Sequence, residues 1–188
     1  MFEKILPFYI ITIVNTGGCM NRIELFKGDI TKVKVDAIVN AANNKLLGGG
    51  GVDGAIHRGA GPALLEFCKS LNGCNTGEAK ISPGFNLPAK YIIHTVGPVW
   101  KGGKYNEDAL LGTCYINSYK LAVDNDIRSI AFPSISTGVY SFPTERAANI
   151  AIKETEKFLK GNSKMNKVIF VCFDEMTHNI YRSILYEN

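Results

Sequence analysis

The stretch of sequence that decides the fold is residues 37–53, Ala-Ile-Val-Asn-Ala-Ala-Asn-Asn-Lys-Leu-Leu-Gly-Gly-Gly-Gly-Val-Asp. Residues 37–41 have the apolar character of a buried strand, and amide side chains follow where that strand ends. The glycine run at 48–51 is not needed for packing, because each glycine raises the entropy lost on ordering the chain. Glycines let a backbone approach a ligand closely and expose its N–H groups, as in loops that hold phosphate. The strand before the run and the helix predicted after it favour a phosphate loop over the alternative, a flexible surface turn.

Outward from this stretch, strand and helix patterns alternate along the chain. Strands are predicted over residues 23–26, 37–41, 79–83, 91–96, 129–133 and 168–173, and helices over residues 52–59, 62–71, 108–125, 143–159 and 177–185. Residues 84–90 are predicted to form a hairpin-like connection. This alternation indicates a largely parallel sheet with helices on both faces, and ligands of such folds bind beyond the carboxyl ends of the strands.

The composition fits a single globular domain. The chain has 188 residues, of which 46% are hydrophobic and 20% are charged, and its formal net charge is +4. Lysines and arginines are scattered without a basic stripe, so no binding to DNA is expected. The five cysteines form no C-x-x-C pair and the three histidines lie far apart, so we expect reduced thiols, a cytoplasmic location and no metal site. We also expect a monomer that uses no cofactor.

The first twenty residues stand apart from this pattern. Residues 5–14 form an apolar run that is too short to span a bilayer. A signal peptide is not favoured, because Lys4 is offset by Glu3 and residues 16–19 resemble a lipoprotein cleavage site only loosely. The run is either an extra strand or upstream sequence before a start at Met20, and the second interpretation is favoured because the regular pattern begins directly afterwards. We therefore expect an N-terminal extension over residues 1–20, one domain over residues 21–188, and no association with a membrane.

Two further loops follow predicted strands and carry polar residues suited to a ligand. Segment 134–143, Ser-Ile-Ser-Thr-Gly-Val-Tyr-Ser-Phe-Pro, offers hydroxyl and N–H donors to phosphate oxygens, and its aromatic residues can stack on a sugar. The alternative for this segment is a helix N-terminus with packed aromatic side chains. Segment 28–31, Gly-Asp-Ile-Thr, contains Asp29, which either caps a turn or accepts a hydrogen bond from an exocyclic amine. Spacing alone does not separate these alternatives.

Asp53 and His57 lie at the start of the helix predicted after the glycines. Asp53 can cap that helix, and it can position or deprotonate a water molecule at the mouth of the glycine run; the two roles are compatible. His57 is four residues further on, so it shares a helix face with Asp53. The two residues are a candidate catalytic pair, and the alternative for His57 is a histidine that satisfies a hydrogen bond in the core.

Together these segments resemble the macrodomain family. The matching segments, in chain order, are residues 28–31, 39–44, 48–57, 94–98 (His-Thr-Val-Gly-Pro) and 134–143. The resemblance covers about residues 22–186 and is strongest for the MacroD-type branch, which includes bacterial O-acetyl-ADP-ribose deacetylases and ADP-ribosyl hydrolases. It implies an α/β fold, a three-layer αβα sandwich with a central mixed, largely parallel sheet.

The resemblance also implies a role for each site residue. Asn43, Asp53 and His57 would be catalytic, with Asp53 orienting the attacking water and His57 supporting Asp53. Asn40 would lie with Asn43 at the distal ribose. Asp29 would bind the adenine amine beside Ile30, and Phe173 would help to wall the adenine. The diphosphate would be held by two groups of residues, Gly48, Gly49, Gly50, Gly51 and Val52 in the first and Ser136, Thr137, Gly138, Val139 and Tyr140 in the second, with Tyr140 also stacking by the distal ribose.

Two functions are implied by the resemblance. The first is hydrolysis of acyl esters of ADP-ribose, namely O-acetyl-ADP-ribose and ADP-ribose on acidic side chains, by activation of water without a metal. The second is a non-catalytic module that binds ADP-ribose. Ligands and partners would be ADP-ribose, its acyl esters and mono-ADP-ribosylated proteins. The presence of both Asn43 and Asp53 favours the hydrolase, because non-catalytic members often lack one or both. Two departures from the family pattern are Ser141, where many relatives carry glycine, and Asn44-Lys45, where some carry Ser-Ser.

Overall fold

A computed structural model gives the fold of residues 19–186, so the apolar run at residues 5–14 lies outside the described part of the chain. Two short 3-10 turns lie at Cys19–Arg22 and Ile30–Lys32. The six strands are β1 (Ile23–Lys27), β2 (Ala37–Ala41), β3 (Ala79–Pro83), β4 (Tyr91–Thr95), β5 (Ser129–Pro133) and β6 (Lys167–Cys172). The five helices are α1 (Gly51–Ala60), α2 (Pro62–Ser70), α3 (Glu107–Asp124), α4 (Thr144–Gly161) and α5 (Glu175–Tyr186).

The strands form one mixed, mostly parallel sheet in the order β1-β6-β5-β2-β4-β3. All neighbouring pairs are parallel except β3 and β4, which are antiparallel and joined by the predicted hairpin-like connection. Within that connection the Gly84 amide donates to the Lys90 carbonyl oxygen at 2.7 Å. Because β1, β2, β4, β5 and β6 run in one direction, their carboxyl ends all lie at the same edge of the sheet.

The core consists of two apolar layers, one on each face of the sheet. Ala37 and Val39 of β2 face a cluster that contains residues of α3, α4 and α5. Ile38, which points to the other face because strand side chains alternate, packs with residues of α1 and α2. The predicted three-layer sandwich is therefore confirmed. Among residues 19–186, no helix is both long enough and apolar enough to cross a bilayer.

Two predicted boundaries differ from the structure at places that matter for the site. The last glycine of the run, Gly51, is the first residue of α1 instead of a loop residue, with a left-handed φ of 57°. Strand β6 ends at Cys172, so Phe173 belongs to the following connection. Pairing of β6 with β1 ends at Lys27 and Cys172, and Phe173, which lies beyond this last pair, is 86% exposed.

Candidate functional site

The site lies at the carboxyl edge of the sheet, where three loops meet. The glycine loop, residues 42–50, follows β2, and the second loop, residues 134–142, follows β5. The third loop, residues 28–31, follows β1. Backbone hydrogen bonds fix where these loops begin: the Ala42 amide donates to the Thr95 carbonyl oxygen and the Gly28 amide to the Cys172 carbonyl oxygen, each at 2.9 Å. Segments far apart in sequence therefore share one ligand-accessible edge.

Asp53 is the third residue of α1, and its carboxylate turns inward. Gly50 occupies the N-cap position, so the interpretation of Asp53 as the helix cap is wrong. The side chain of Asp53 is held from two sides: Asn40 Nδ2 donates to Oδ1 at 2.7 Å, and Asn43 Nδ2 lies 3.4 Å from Oδ2. With a residue exposure of only 4%, this carboxylate depends on those amides in place of water.

His57 lies beside Asp53, as the four-residue spacing predicts. Its Nε2 is 3.6 Å from Asp53 Oδ1, which is beyond hydrogen-bond length but close enough for electrostatic interaction. The structure thus brings Asn43, Asp53 and His57 together, while their part in catalysis stays a prediction. Burial is the largest influence on Asp53 and raises its pKa, and it outweighs the opposing effects of the Asn40 hydrogen bond and of His57.

Asn40 does not lie at the open surface where a sugar would bind. It is fully buried, and its amide bridges Asp53 and His94, with Nδ2 3.1 Å from His94 Nδ1. Asn40 therefore acts on the site through Asp53, and a direct contact with ribose stays a prediction. His94, which sequence reasoning used only as part of a matching segment, is equally buried. Desolvation lowers its pKa to about 3, so its imidazole is neutral at physiological pH.

The glycine loop is shaped by close approach to α1. The Asn43 amide donates to the Gly48 carbonyl oxygen at 2.9 Å, which folds the loop back over the strand end. A Cβ atom at Gly49 would lie 3.1 Å from Asp53 Oδ2 and 3.3 Å from Asn43 Nδ2. A Cβ atom at Gly54 would lie only 2.4 Å from the Gly49 carbonyl oxygen. The predicted ligand residues of this loop are exposed at Gly49, Gly50 and Gly51 and half-buried at Gly48 and Val52.

The second loop is a compact turn packed on the end of β4. Ser136 adopts a left-handed backbone with φ of 67°, a conformation that costs a residue other than glycine about 1–2 kcal/mol. Gly97 allows Ser136 to sit there, since a Cβ atom at Gly97 would lie 2.1 Å from Ser136 Oγ. Thr137 Oγ1 donates to the Ser134 carbonyl oxygen at 3.0 Å, while Gly138 and Val139 lie at the exposed tip. The glycine of the 94–98 segment is thus explained by contact with this loop.

The end of the second loop is closed by a short turn at Ser141. The Ser141 amide donates to the Gly138 carbonyl oxygen at 2.9 Å, and Ser141 has φ of 55°. This backbone favours glycine, so the family pattern of glycine at the position has a structural reason, and serine here carries some backbone strain.

Tyr140 is anchored by a segment that sequence reasoning did not identify. The Trp100 amide donates to the Tyr140 carbonyl oxygen at 2.9 Å, and the Trp100 and Phe142 rings are 4.7 Å apart. Buried Glu107 organises the segment after Trp100, because its carboxylate accepts hydrogen bonds from the amides of Lys101, Gly103 and Tyr105 at 3.0, 3.1 and 2.6 Å. An acidic residue in the first turn of α3 was the available signal, but it resembles an ordinary helix-end charge.

The third loop places Asp29 at the surface. Its Oδ1 accepts hydrogen bonds from the Thr31 amide at 2.9 Å and from Thr31 Oγ1 at 2.7 Å, so Asp29 caps the turn at Ile30–Lys32. Ile30 is buried beneath that turn, whereas Phe173 projects from the neighbouring strand end. Contacts of Asp29, Ile30 and Phe173 with adenine stay predictions. Across residues 19–186, no cluster of three or more His, Cys, Asp or Glu side chains is arranged to hold a metal ion.

Removing the buried charge is expected to stabilise the protein. The pKa of Asp53 in the folded state is raised above the ordinary 3.8. Between pH 3.8 and this folded-state pKa, the folded state therefore binds more protons than the unfolded state. Stability therefore falls as pH rises from 3.8 through the folded-state pKa and stays lower above it. At pH 7 we expect Asp53→Asn to melt at a higher temperature than the wild type, with a difference that shrinks below pH 3.8. Thermal unfolding across this range checks the prediction, with exposed Asp124→Asn as the control, and a less stable Asp53→Asn at pH 7 contradicts it.

The comparisons with known proteins agree with this architecture. The family model of the Macro domain matches residues 39–151. A Macro domain-containing protein of Methanosarcina mazei is 64% identical over 156 residues, which cover 83% of each chain. The O-acetyl-ADP-ribose deacetylase of Escherichia fergusonii is 53% identical over 169 residues, covering 88% of this chain and 96% of that protein. The Trypanosoma brucei macrodomain in complex with ADP-ribose superposes with a TM-score of 0.85 and 45% identity over 89% of this chain and 70% of the other. The chain belongs to the Macro domain family.

Proposed function

We propose that this protein binds ADP-ribose at the carboxyl edge of the sheet and hydrolyses its acyl esters, with O-acetyl-ADP-ribose as the main substrate. The observation that carries the proposal is the buried carboxylate of Asp53 next to the Asn43 amide, directly under the exposed glycine loop. A phosphate-binding loop alone fits any nucleotide, whereas a carboxylate of raised pKa beside it supplies a base. The similar deacetylase and the similar ADP-ribose complex support the same function.

The ligand would lie across the three loops. Exposed backbone N–H groups of the glycine loop and of the second loop, which ends close to the N-terminus of α4, suit the two phosphates of ADP-ribose. The exposed ring of Phe173 lies beyond the end of β6, next to β1, where it can cover one face of adenine. The distal ribose would then reach Asn43 and the opening above Asp53. O-acetyl-ADP-ribose and ADP-ribose attached to acidic side chains both carry an ester on this ribose, so in both the ester would lie near Asn43 and Asp53.

In the proposed reaction, Asp53 orients a water molecule and takes its proton as the water oxygen attacks the ester carbonyl carbon. The bond between that carbon and the ribose oxygen breaks, and the ribose oxygen takes the proton that Asp53 received from water, which returns Asp53 to its carboxylate form. The acetic acid formed then releases its own proton to solvent as acetate. The products are acetate and ADP-ribose. Because no residue becomes covalently modified, the protein contributes a base, a fixed geometry and phosphate contacts. Asn43 would hold a ribose hydroxyl, since an amide can both donate and accept.

Incubation of the purified protein with O-acetyl-ADP-ribose tests this function. Chromatography should show ADP-ribose accumulating over time, faster than in the buffer control. Tight binding of ADP-ribose by calorimetry without any turnover of the ester would favour the non-catalytic binding module. Absence of binding to ADP-ribose would overturn both functions.

Adenine recognition gives a separate prediction. If Asp29 accepts a hydrogen bond from the exocyclic amine, Asp29→Ala should weaken ADP-ribose binding about 10- to 100-fold, as expected for a hydrogen bond to a charged group. Inosine-diphosphate-ribose lacks that amine, so its disadvantage against ADP-ribose should disappear in the variant. Thr31→Val is the matched control, because it removes the hydroxyl that contacts Asp29 but keeps the carboxylate. Equal ADP-ribose affinities of the wild type and Asp29→Ala, measured by calorimetry, would refute the assignment.

A further inference from the structure

A buried hydrogen-bonded chain runs from Asp53 into the core and ends at β3. Its members are Asp53, Asn40, His94 and Ser82, and none of the last three has more than 2% of its surface exposed. Asn40 Nδ2 contacts Asp53 Oδ1 at 2.7 Å and His94 Nδ1 at 3.1 Å. On the far side of the imidazole ring, His94 Nε2 lies 2.9 Å from Ser82 Oγ, whose own hydroxyl donates to the Pro83 carbonyl oxygen at 3.1 Å.

The register of the sheet creates this chain. Asn40 of β2 and His94 of β4 are direct partners in parallel strands, so their side chains leave the same face side by side. Ser82 comes from the antiparallel strand β3, on the other side of β4. The chain therefore crosses the sheet from strand to strand, and Asp53 is its member in the helical layer.

The hydrogen atoms of this chain can be arranged in one consistent way. The Asn40 NH2 group has two hydrogens, of which one points to the Asp53 carboxylate and the other to His94 Nδ1. His94 Nδ1 must then be an acceptor without a hydrogen, so the ring hydrogen lies on Nε2 and is donated to Ser82 Oγ. The Ser82 hydroxyl passes its hydrogen on to Pro83. Every donor in this arrangement faces an acceptor.

The opposite arrangement would disrupt the contact with Asp53. A hydrogen on His94 Nδ1 would face the Asn40 NH2 group, and the amide would turn over to offer its oxygen to the ring. Asn40 Oδ1 would then lie close to the carboxylate of Asp53, acceptor against acceptor. In the observed orientation Asn40 Oδ1 has no hydrogen-bond partner among the described residues, so only the NH2 side fixes the amide.

We infer that His94 is a positioning residue: its Nδ1 lone pair fixes the orientation of the Asn40 amide so that Asn40 donates to Asp53. His94 has no exposed surface with which to contact a ligand, so it acts through Asn40. This inference rests on the proposed function only in assigning Asp53 to the reaction. Removing the Nδ1 acceptor of His94 is expected to raise the pKa of Asp53, because a carboxylate that loses a hydrogen-bond donor is more easily protonated.

Ionisable groups approach this chain from α1, α2 and β3. Lys80 of β3 is the cross-strand partner of His94, and its ammonium group donates to the Leu71 carbonyl oxygen. His57 approaches Asp53 from the same helix, α1, and also acts electrostatically on His94. Cys68 of α2 faces the ring, with Sγ 3.9 Å from His94 Nε2. Burial raises the pKa of the Cys68 thiol to about 11, so the thiol stays neutral over the range in which the protein would be assayed.

The experiment compares two variants of similar size. His94→Asn offers an amide oxygen in the place of Nδ1, whereas His94→Leu offers no acceptor. We expect the acid limb of the kcat profile to move to higher pH by about one unit or more in His94→Leu, and by less in His94→Asn. KM for O-acetyl-ADP-ribose should change by less than about twofold in both variants, because the side chain at position 94 is buried away from the ligand. Cys68→Ala is the control for a perturbed core beside the ring, and its acid limb should match that of the wild type.

NMR gives readouts that do not depend on turnover. In the wild type, two-bond ¹H–¹⁵N spectra should show His94 neutral with its hydrogen on Nε2, and the ¹³C signal of the Asp53 carboxyl group gives its titration directly. A hydrogen on Nδ1 overturns the inference, as does an equal acid limb or an equal Asp53 titration in folded His94→Leu and the wild type. If the wild type has no turnover, the proposed reaction fails while the Asp53 titrations still decide the role of His94. If neither variant folds, the wild-type tautomer decides it.

Discussion

Asp53→Ala is expected to lower kcat for O-acetyl-ADP-ribose by about 10²–10⁴-fold, the usual contribution of a positioned acid–base group. The carboxylate is needed when water loses its proton, so it contributes little to binding of the ground state. Its negative charge near a diphosphate opposes binding, so the affinity for ADP-ribose should stay the same or rise slightly. Initial rates with O-acetyl-ADP-ribose and calorimetry with ADP-ribose separate the two effects.

Asn43→Ala should behave differently, because an amide that holds ribose acts in both the ground state and the transition state. We expect weaker ADP-ribose binding and slower turnover. The double variant should lose less than the product of the two single effects, since both side chains shape one space and lie 3.4 Å apart. Asp124→Ala, which removes an exposed carboxylate at the end of α3, is the control. Near wild-type turnover by Asp53→Ala would show that the carboxylate is not the base.

Gly54→Ala is expected to have the second large effect, because it pushes the glycine loop away from α1. The new Cβ atom would lie 2.4 Å from the Gly49 carbonyl oxygen, and a backbone atom cannot move aside as a flexible side chain can. Overpacking of this kind typically costs about 1–3 kcal/mol, so we expect ADP-ribose affinity to fall about 5- to 150-fold. Calorimetry measures the affinity, and thermal unfolding measures any accompanying loss of stability.

Gly161→Ala makes the same chemical change at the last residue of α4. Apart from the nearby backbone of its own helix, no described atom lies within 4 Å of a Cβ atom at Gly161, so this variant should keep its affinity. Its melting temperature should stay the same or rise slightly, because alanine has less conformational entropy to lose on folding than glycine. If Gly54→Ala also binds ADP-ribose like the wild type, the close approach of the glycine loop to α1 does not shape the binding site.

Local spacing was enough to predict the parts of the site that lie on one element. Asp53 and His57 are four residues apart on α1, and this spacing brings their side chains to 3.6 Å. The glycine run was predicted to approach something closely, and part of what it approaches is α1 itself at Gly54. Alternating strands and helices likewise predicted both the layers and the edge at which the loops meet.

The contacts between elements could not be predicted in the same way. Asn40 and His94 are 54 residues apart, and only the pairing of β2 with β4 shows that they are neighbours. An asparagine at a strand end suits contact with a sugar, which is where Asn40 was expected. Its side chain instead points behind Asp53, toward His94. Sequence spacing carries no information on that direction when the partner strand is unknown.

The contact between Trp100 and the second loop has a spectroscopic consequence. Trp100 is the only tryptophan of the chain. Its indole packs against the Phe142 ring at an interplanar angle of 57°, and the Arg146 guanidinium lies 5.3 Å from the indole ring centre. Indole emission changes with local polarity and with nearby charge, and no second tryptophan contributes to the signal. Since the Trp100 amide also holds the Tyr140 carbonyl oxygen, any movement of the second loop alters the surroundings of this single fluorophore. The protein thus carries an intrinsic optical reporter at the wall of its candidate ligand site, and it can be used without a label.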